Sequence, residues 1–277
     1  MSNRGSRSRT ERRARRAKAN PVVDRLARAG LGARATVYLV LSFLCADIAL
    51  TGGQGKQAST KGVLEELAAQ PAGPALLVIL AVGFACYAGW RLLQAVAGDP
   101  TSADEAEVAK RVGWGAVGVA YLALCFRAAV VVAGSGSKRG DAAFSYSRKL
   151  LGVPAGRELL ALVGLAIVAG GIGLAGWAAT QGFERYIEKT RLPQSLHSFT
   201  RVVETFGQVT RGLVFAAIGA SMMAAAVNGQ AKDAKGMDGA LRTLLHQPYG
   251  RAALAVVAAG LASFGVASLL EAFYREV

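Results

Sequence analysis

Charged residues are scarce in this chain, and so are the side chains that build metal or catalytic sites. Asp, Glu, Lys and Arg make up 18% of the 277 residues, apolar residues make up 53%, and the mean hydropathy is +0.35. This balance excludes an ordinary soluble domain, in which about a quarter of the residues are charged. The two histidines, His197 and His246, stand in separate connections, so no shared histidine site is expected.

Cysteines are few as well, and motifs of known chemistry are absent from the sequence. Cys45, Cys86 and Cys125 all fall in apolar runs without the spacing of metal ligands, so we expect small apolar filler and neither disulfides nor zinc. The sequence contains no H-E-x-x-H motif, no Ser-His-Asp set and no phosphate-binding glycine loop. We therefore expect no enzyme, no cofactor and no metal.

What the chain does contain is long apolar runs. Crossing a bilayer takes roughly 20 apolar residues in a helix. Six runs meet that length, at 33–51, 74–97, 114–134, 157–180, 209–228 and 252–273. Short amphipathic stretches at 24–28 and 201–204 precede two of them and are expected to lie along the membrane interface. The sequence predicts an all-α, six-span membrane protein.

The six runs belong to three copies of one unit. Each copy has a glycine, an aromatic residue eight positions later, and a P-x-G tripeptide whose proline follows the glycine by 41 residues (71 − 30, 154 − 113, 248 − 207). The glycine, aromatic and proline positions are Gly30, Tyr38 and Pro71, then Gly113, Tyr121 and Pro154, then Gly207, Phe215 and Pro248. A constant spacing of this kind indicates a repeated supersecondary unit.

We divide the chain into a basic tail at 1–21 and repeats at 22–100, 101–186 and 187–277. Each repeat holds two spans, so every copy starts and finishes on the same side of the membrane. The repeats are therefore parallel, with an axis along the membrane normal, and can form a ring of approximate threefold symmetry. The aromatic positions of the repeats are expected to pack or to lie at the interface rather than contact a ligand.

The net charge of +14 is concentrated in the tail. Ten of the 32 Lys and Arg residues lie in the first 28 positions. A basic flank before a first span favours retention in the cytoplasm and attraction to anionic lipid headgroups. Nucleic-acid binding is less favoured, because no aromatic residue interleaves the tail. We expect a plasma-membrane protein with both termini in the cytoplasm.

The repeat resembles the domain of unknown function 1206 family. The resemblance rests on the Gly-x7-aromatic start and on a Leu-x3-Pro-x-Gly motif that begins the second helix of each copy, at Leu67, Leu150 and Leu244. It covers residues 22–277 and is strongest in the third copy; the second departs from it, with Val153 where the others have glutamine. It implies integral membrane proteins of bacteria, mostly actinobacteria. It implies no activity, catalytic residue or ligand.

Two ionisable residues stand inside predicted spans, where charge is costly. Asp47 follows Tyr38 by nine residues and Arg127 follows Tyr121 by six, so their depths differ by three residues, about 4.5 Å of helix rise. We predict an intramembrane ion pair between Asp47 and Arg127. Such a pair either fixes helix register or lines a solute pathway. The alternative to a pair is that Asp47 lies near enough to the outer surface to meet water.

The functional expectation follows from these patterns. The spans read as almost uniformly apolar, which favours a packed bundle with a non-enzymatic interaction or envelope-associated role. The alternative is a transporter or channel for a small solute or ion, with its path near the pseudo-threefold axis. Arg91 and Glu271 fall near the ends of their spans and are expected to anchor there, where Arg can snorkel, with a contact between repeats left open.

Overall fold

The computed structural model describes residues 21–52, 58–97, 106–133, 142–180, 195 and 197–274, and this part of the chain is helical without strands. The basic tail, apart from residue 21, lies outside the described residues. The α-helices are α1 Pro21–Thr51, α2 Thr60–Ala68, α3 Gly73–Ala97, α4 Ala106–Val132, α5 Ala142–Leu151, α6 Gly156–Thr180, α7 His197–Asn228, α8 Met237–Leu245 and α9 Gly250–Tyr274.

The helices repeat as long, short, long, and the six long ones are the apolar spans. All six are long and apolar enough to cross a membrane, which confirms the prediction of a six-span protein. Three of them start well before the predicted bounds: α1 by 12 residues (33 − 21), α4 by 8 (114 − 106) and α7 by 12 (209 − 197). The stretches at 24–28 and 201–204 are the first turns of α1 and α7, not separate interfacial helices. These residues continue the helix of the span, and their position along the membrane interface stays a prediction.

The P-x-G tripeptide is the turn between each short helix and the span that follows it. In the third copy the Gly250 N–H donates to the Gln247 carbonyl at 2.9 Å, and the intervening Tyr249 has φ of 61°. A Cβ on Gly250 would collide with the carbonyl oxygens of Leu244 and Leu245 at the end of α8. Glycine is therefore required for the span to start directly against the short helix, and the same holds in the other copies.

Neighbouring spans are antiparallel and follow the order α6, α7, α9, α1, α3, α4 around the bundle. The three most extensive interfaces are α3 with α4, α6 with α7, and α9 with α1. Each joins the second span of one repeat to the first span of the next, which is the pattern that threefold symmetry requires. Small residues allow this approach: a Cβ on Gly212 of α7 would lie 2.5 Å from the carbonyl oxygen of Gly171 in α6.

Repeats 1 and 3 also pack their own two spans together through the repeat glycine. A Cβ on Gly30 of α1 would lie 2.6 Å from the Cβ of Tyr87 in α3. A Cβ on Gly207 of α7 would lie 2.5 Å from the backbone nitrogen of Phe264 in α9. Tyr87 and Phe264 occupy the same repeat position, 16 residues after the proline (87 − 71, 264 − 248). In both repeats the glycine allows the backbone of an aromatic residue on the second span to pack directly against the first span.

Repeat 2 lacks this contact. Among the described residues, α4 and α6 form no packed interface. A Cβ on Gly113 would meet nothing within 4 Å, and the aromatic position is taken by Gly170, whose Cβ would also meet nothing within 4 Å. The bundle is therefore a pseudo-threefold ring with one gap. We call the gap between α4 and α6 the repeat-2 opening.

Candidate functional site

The predicted intramembrane pair is not formed as a salt bridge in the part of the chain that the structure describes. Asp47 lies on α1 and Arg127 on α4, both half-buried, and each of these helices packs on α3. The backbone carbonyl of Asp47 accepts a hydrogen bond of 2.8 Å from the Thr51 hydroxyl. The pairing of Asp47 with Arg127 stays a prediction, and the structure draws attention to a different group of charges.

That group lies toward the end of the bundle where α1 begins and α9 ends, which we call the termini end. Its centre is Arg34 of α1, whose side chain is 9% exposed. The guanidinium donates from Nε to the Ser268 hydroxyl (3.1 Å), from Nη1 to the Tyr87 hydroxyl (2.9 Å) and from Nη2 to the Glu271 carboxylate (2.6 Å). Arg34 thereby ties α1 to α3 and to α9. Glu271 joins repeats 3 and 1, so the contact between repeats left open above exists, with Arg34 as its partner.

Tyr87 connects a second arginine to this network. Its hydroxyl also accepts from Arg91, one turn further along α3, with Nη2 at 2.7 Å. The Tyr87 ring meets Tyr121 of α4 edge to face, with ring centroids 4.5 Å apart. Such ring pairs add about 0.5–1.5 kcal/mol beyond the area they bury. Arg91 is therefore held inside the bundle by an aromatic hydroxyl, and the expectation of a simple interfacial anchor was incomplete.

Arg211 of α7 occupies the same repeat position as Arg34, four residues after the repeat glycine. Within the described residues it forms no hydrogen bond and no salt bridge, and its Nε is buried without a partner. Instead its guanidinium carbon lies 5.8 Å from the ring centroid of Tyr38, 5.2 Å from that of Phe215 and 4.8 Å from that of Phe264. The three rings stabilise the positive charge through cation–π contacts, each by about 0.5–2 kcal/mol. They do not provide hydrogen-bond acceptors for the N–H groups in the guanidinium plane.

A polar stripe on α7 leads to this arginine. Thr200, Glu204, Gln208 and Arg211 follow each other at helical spacing. Glu204 is 8% exposed and accepts from Gln208 Nε2 at 2.9 Å, while Gln208 Oε1 and Thr200 Oγ1 are buried and lack a hydrogen-bond partner in the described part of the chain. Three of the four residues precede the predicted span 209–228, so the stripe lies mainly in the part of α7 that the apolar run did not include.

The remaining tyrosines complete the site. Tyr121 joins the site through Tyr87, the aromatic partner of its ring and the hydrogen-bond acceptor of Arg34. Neither the Tyr38 nor the Tyr121 hydroxyl has a hydrogen-bond partner among the described residues. Both rings pack on aromatic side chains, Tyr38 on Phe264 and Tyr121 on Tyr87, and Tyr38 also lies beside Arg211. We name the whole group the axial cluster: Arg34, Arg91, Arg211, Tyr38, Tyr87, Tyr121, Glu204 and Glu271.

The chemistry of the axial cluster favours an anion over a metal. Three guanidinium groups face two carboxylates, and the atoms that are buried without a hydrogen-bond partner include Arg211 Nε. Arginine recognises carboxylate and phosphate through its planar set of N–H donors. Across the described residues, no group of three or more His, Cys, Asp or Glu side chains could hold a metal ion.

Sequence reasoning missed Arg34 and Arg211, although a signal for them was present. Aligning the copies on the repeat glycines places both arginines at one position, with Val117 in repeat 2. Averaged hydropathy does not reveal them, because Arg34 lies at the edge of the predicted span 33–51 and Arg211 at the edge of 209–228. Glu271 was noticed, but its partner is 237 positions away and no local pattern relates the two.

The repeats that carry these arginines are also the ones that a family profile detects. The profile named Domain of Unknown Function (DUF1206) matches residues 29–98 and 206–275. The chain belongs to the DUF1206 family. The two matched DUF1206 regions are repeats 1 and 3, each of which packs its two spans together; repeat 2, with the opening, lies outside them.

One relative extends over nearly the whole chain. It is the "Uncharacterized protein YxxB" of Bacillus subtilis (strain 168), 25% identical over 258 residues, which is 93% of this chain and 93% of that protein. No solved structure matches the chain. The family match and the six long apolar helices support a multi-pass membrane protein of the DUF1206 family.

Proposed function

We propose that this protein is a non-enzymatic, multi-pass protein of the plasma membrane that binds an anionic group at the axial cluster. Its role is then an interaction or envelope-associated one that depends on the bound anionic group. The observation that carries the proposal is Arg211, a guanidinium on a membrane span that is surrounded by three aromatic rings and has no protein acceptor among the described residues.

Arg211 carries an unmet hydrogen bond, because its Nε is buried without a partner in the described part of the chain. A buried polar group without a partner costs about 1–3 kcal/mol, and more when it is charged. Arg34 avoids this cost because Ser268, Tyr87 and Glu271 accept from it. Arg211 has no equivalent acceptors, although it holds the same repeat position. A bound carboxylate or phosphate supplies them through charge-assisted hydrogen bonds, which are about twice as strong as neutral ones.

The position of the cluster fits a cytoplasmic origin for the anion. We place both termini in the cytoplasm because the basic tail precedes α1, and the cluster lies toward that same end of the bundle. The tail and the cluster then attract the same class of partner, anionic lipid headgroups or soluble anions at the inner membrane surface. Nucleic acid is not part of the proposal.

The test uses the full-length protein in detergent with inorganic phosphate as the probe. Phosphate is titrated against chloride at constant ionic strength while the midpoint of thermal unfolding is measured. A ligand at ten times its Kd adds about 1.4 kcal/mol of stability, which is a shift of several degrees. We expect this shift in the wild type and in Arg127→Gln, and its loss in Arg211→Gln. Absence of the shift in the wild type, or an equal shift in Arg211→Gln, overturns the proposal.

Transport of an anion is the second candidate, and the polar stripe on α7 favours it. Thr200, Glu204, Gln208 and Arg211 connect the start of α7 to the axis, but the far half of the span has no such continuation toward its end at Asn228. Uptake of radiolabelled phosphate into proteoliposomes separates the two candidates. Flux that depends on Arg211 supports transport, and phosphate-dependent stabilisation without flux supports binding alone.

A further inference from the structure

The repeat-2 opening exposes two spans that the rest of the bundle leaves uncovered. Only 11% of the apolar stretch of α4 and 17% of that of α6 are buried, whereas the other four spans are 33–56% buried. Repeats 1 and 3 pack the repeat glycine against an aromatic residue, whereas repeat 2 has Gly113 and, at the aromatic position, Gly170. A Cβ on either glycine would meet nothing within 4 Å. The result is a lateral gap in the ring that faces the hydrocarbon of the bilayer.

One residue of the axial cluster stands on a wall of the opening. Tyr121 lies on α4, and its ring centroid is 4.5 Å from that of Tyr87, whose hydroxyl accepts a hydrogen bond from Arg34. Tryptophans stand on both walls toward the termini end, Trp114 on α4 and Trp177 near the end of α6, and both are partly exposed. Tryptophan concentrates at the level of lipid headgroups. The walls therefore combine an interfacial rim with an apolar face below it.

The depth of the arginines in the bilayer agrees with a lipid headgroup that enters the bundle from the cytoplasmic side. Arg34 lies six residues into the span that begins at Arg28, about 9 Å of helix rise, in a hydrocarbon layer of about 30 Å. Arg211 shares its repeat position. Basic pockets between spans on the cytoplasmic side are suited to anionic lipid headgroups.

We infer that the repeat-2 opening is a binding site for an anionic phospholipid. The phosphate is bound by Arg211, beside Tyr38 and Tyr121, and the acyl chains lie between α4 and α6. This inference rests on the proposed function and names the ligand of that same site. A soluble anion does not explain a gap that faces the membrane.

The experiment measures which lipid the protein retains. Full-length protein is delipidated in mild detergent, exposed to mixed micelles of phosphatidylglycerol and phosphatidylcholine in equal amounts, and analysed by native mass spectrometry. Three variants are compared: Arg211→Gln removes the phosphate ligand, Gly170→Phe fills the opening with an aromatic as in repeats 1 and 3, and Gly176→Phe adds the same side chain at a different exposed glycine of α6. Position 176 corresponds to Leu93 of repeat 1, which is exposed.

We expect the wild type to retain phosphatidylglycerol at least tenfold over phosphatidylcholine. Arg211→Gln should lose this preference, Gly170→Phe should retain at least fivefold less lipid, and Gly176→Phe should match the wild type. Gly170→Phe should also keep the thermal stabilisation by inorganic phosphate, which shows that it is folded and that the anion site is intact. Gly170→Leu replaces it where the larger side chain prevents accumulation of the protein.

Several results overturn the inference while leaving the proposed function in place. One is stabilisation by phosphate that requires Arg211 together with equal retention of the two lipids. Another is unchanged retention of phosphatidylglycerol in both variants at position 170. A lipid-free dimer that Gly170→Phe dissociates would assign the opening to a second copy. Failure of the proposed function is different, because phosphate then gives no stabilisation that depends on Arg211.

Discussion

The three repeat glycines occupy equivalent positions but should respond differently to substitution by alanine. A Cβ at Gly30 would lie 2.6 Å from the Tyr87 Cβ, and one at Gly207 would lie 2.5 Å from the Phe264 nitrogen, whereas one at Gly113 meets nothing within 4 Å. Carbon atoms in contact prefer about 3.5–4.0 Å, so the first two helix pairs must separate by about 1 Å. At Gly113 no helix has to move.

The expected magnitudes follow from this geometry. Overpacking a well-packed interface costs about 1–3 kcal/mol, and replacing glycine by alanine in a helix returns up to about 1 kcal/mol. Gly30→Ala and Gly207→Ala should therefore lose about 1–2 kcal/mol, and Gly113→Ala should be neutral or gain up to about 1 kcal/mol. With roughly 2–4 °C per kcal/mol for a chain of this size, the first two variants should unfold about 2–8 °C lower.

The assay measures thermal unfolding of the full-length variants in one detergent. Unfolding is detected as the loss of the monodisperse peak in fluorescence-detected size-exclusion chromatography. Gly32→Ala is the matched control on α1, because a Cβ there also meets nothing within 4 Å. Equal losses in the three repeat variants would refute the reasoning. They would mean that α4 packs against α6 as tightly as α1 packs against α3, so that no opening exists.

Three further predictions concern charges and a thiol. Glu271→Ala should cost about 3–5 kcal/mol of stability because it leaves Arg34 charged and buried, while Arg34→Met combined with Glu271→Leu should cost less. Asp47→Ala alone should lower protein abundance in membranes more than Asp47→Ala with Arg127→Ala, since an unpaired charge costs more than an absent pair. Cys45 is buried, with its sulfur 3.6 Å from the Leu254 carbonyl, and should resist a membrane-impermeant thiol reagent until the protein is denatured.

Each of these predictions has an outcome that contradicts it. A double variant at positions 34 and 271 that is no more stable than Glu271→Ala would show that the two groups do not act as a pair. Equal loss of abundance in the single and double variants would remove the pairing of Asp47 with Arg127. Labelling of Cys45 in intact membranes, with the other two cysteines replaced by alanine, would mean that water reaches the α1–α9 interface.

Much of the fold could be predicted because it depends on local and periodic features. Apolar runs of sufficient length identify the spans, and the constant distance from Gly30 to Pro71 and its counterparts identifies the repeat. The P-x-G turn is readable for the same reason, since Gly250 is required by carbonyls only a few residues away. Each repeat has two spans, so the chain returns to the same side of the membrane after every copy. The copies therefore run parallel.

The repeat-2 opening and the axial cluster could not be predicted with the same methods. The opening depends on a contact between α4 and α6 that is missing, and only the alignment of Gly170 with Tyr87 and Phe264 hints at it. The cluster joins Arg34 to Glu271 through the packing of α1 on α9. Depth along the helix, which suggested Asp47 and Arg127, does not determine the direction in which a side chain leaves the helix axis.

The central claim is that Arg211 binds an anionic group that the protein does not itself supply. The most direct measurement is an electron cryomicroscopy structure of the full-length protein in nanodiscs that contain phosphatidylglycerol. The account predicts phosphate density within hydrogen-bond distance of the Arg211 guanidinium, continuous with acyl density between α4 and α6. A map in which Arg211 is bonded to a protein carboxylate, with α4 packed directly on α6, would contradict it.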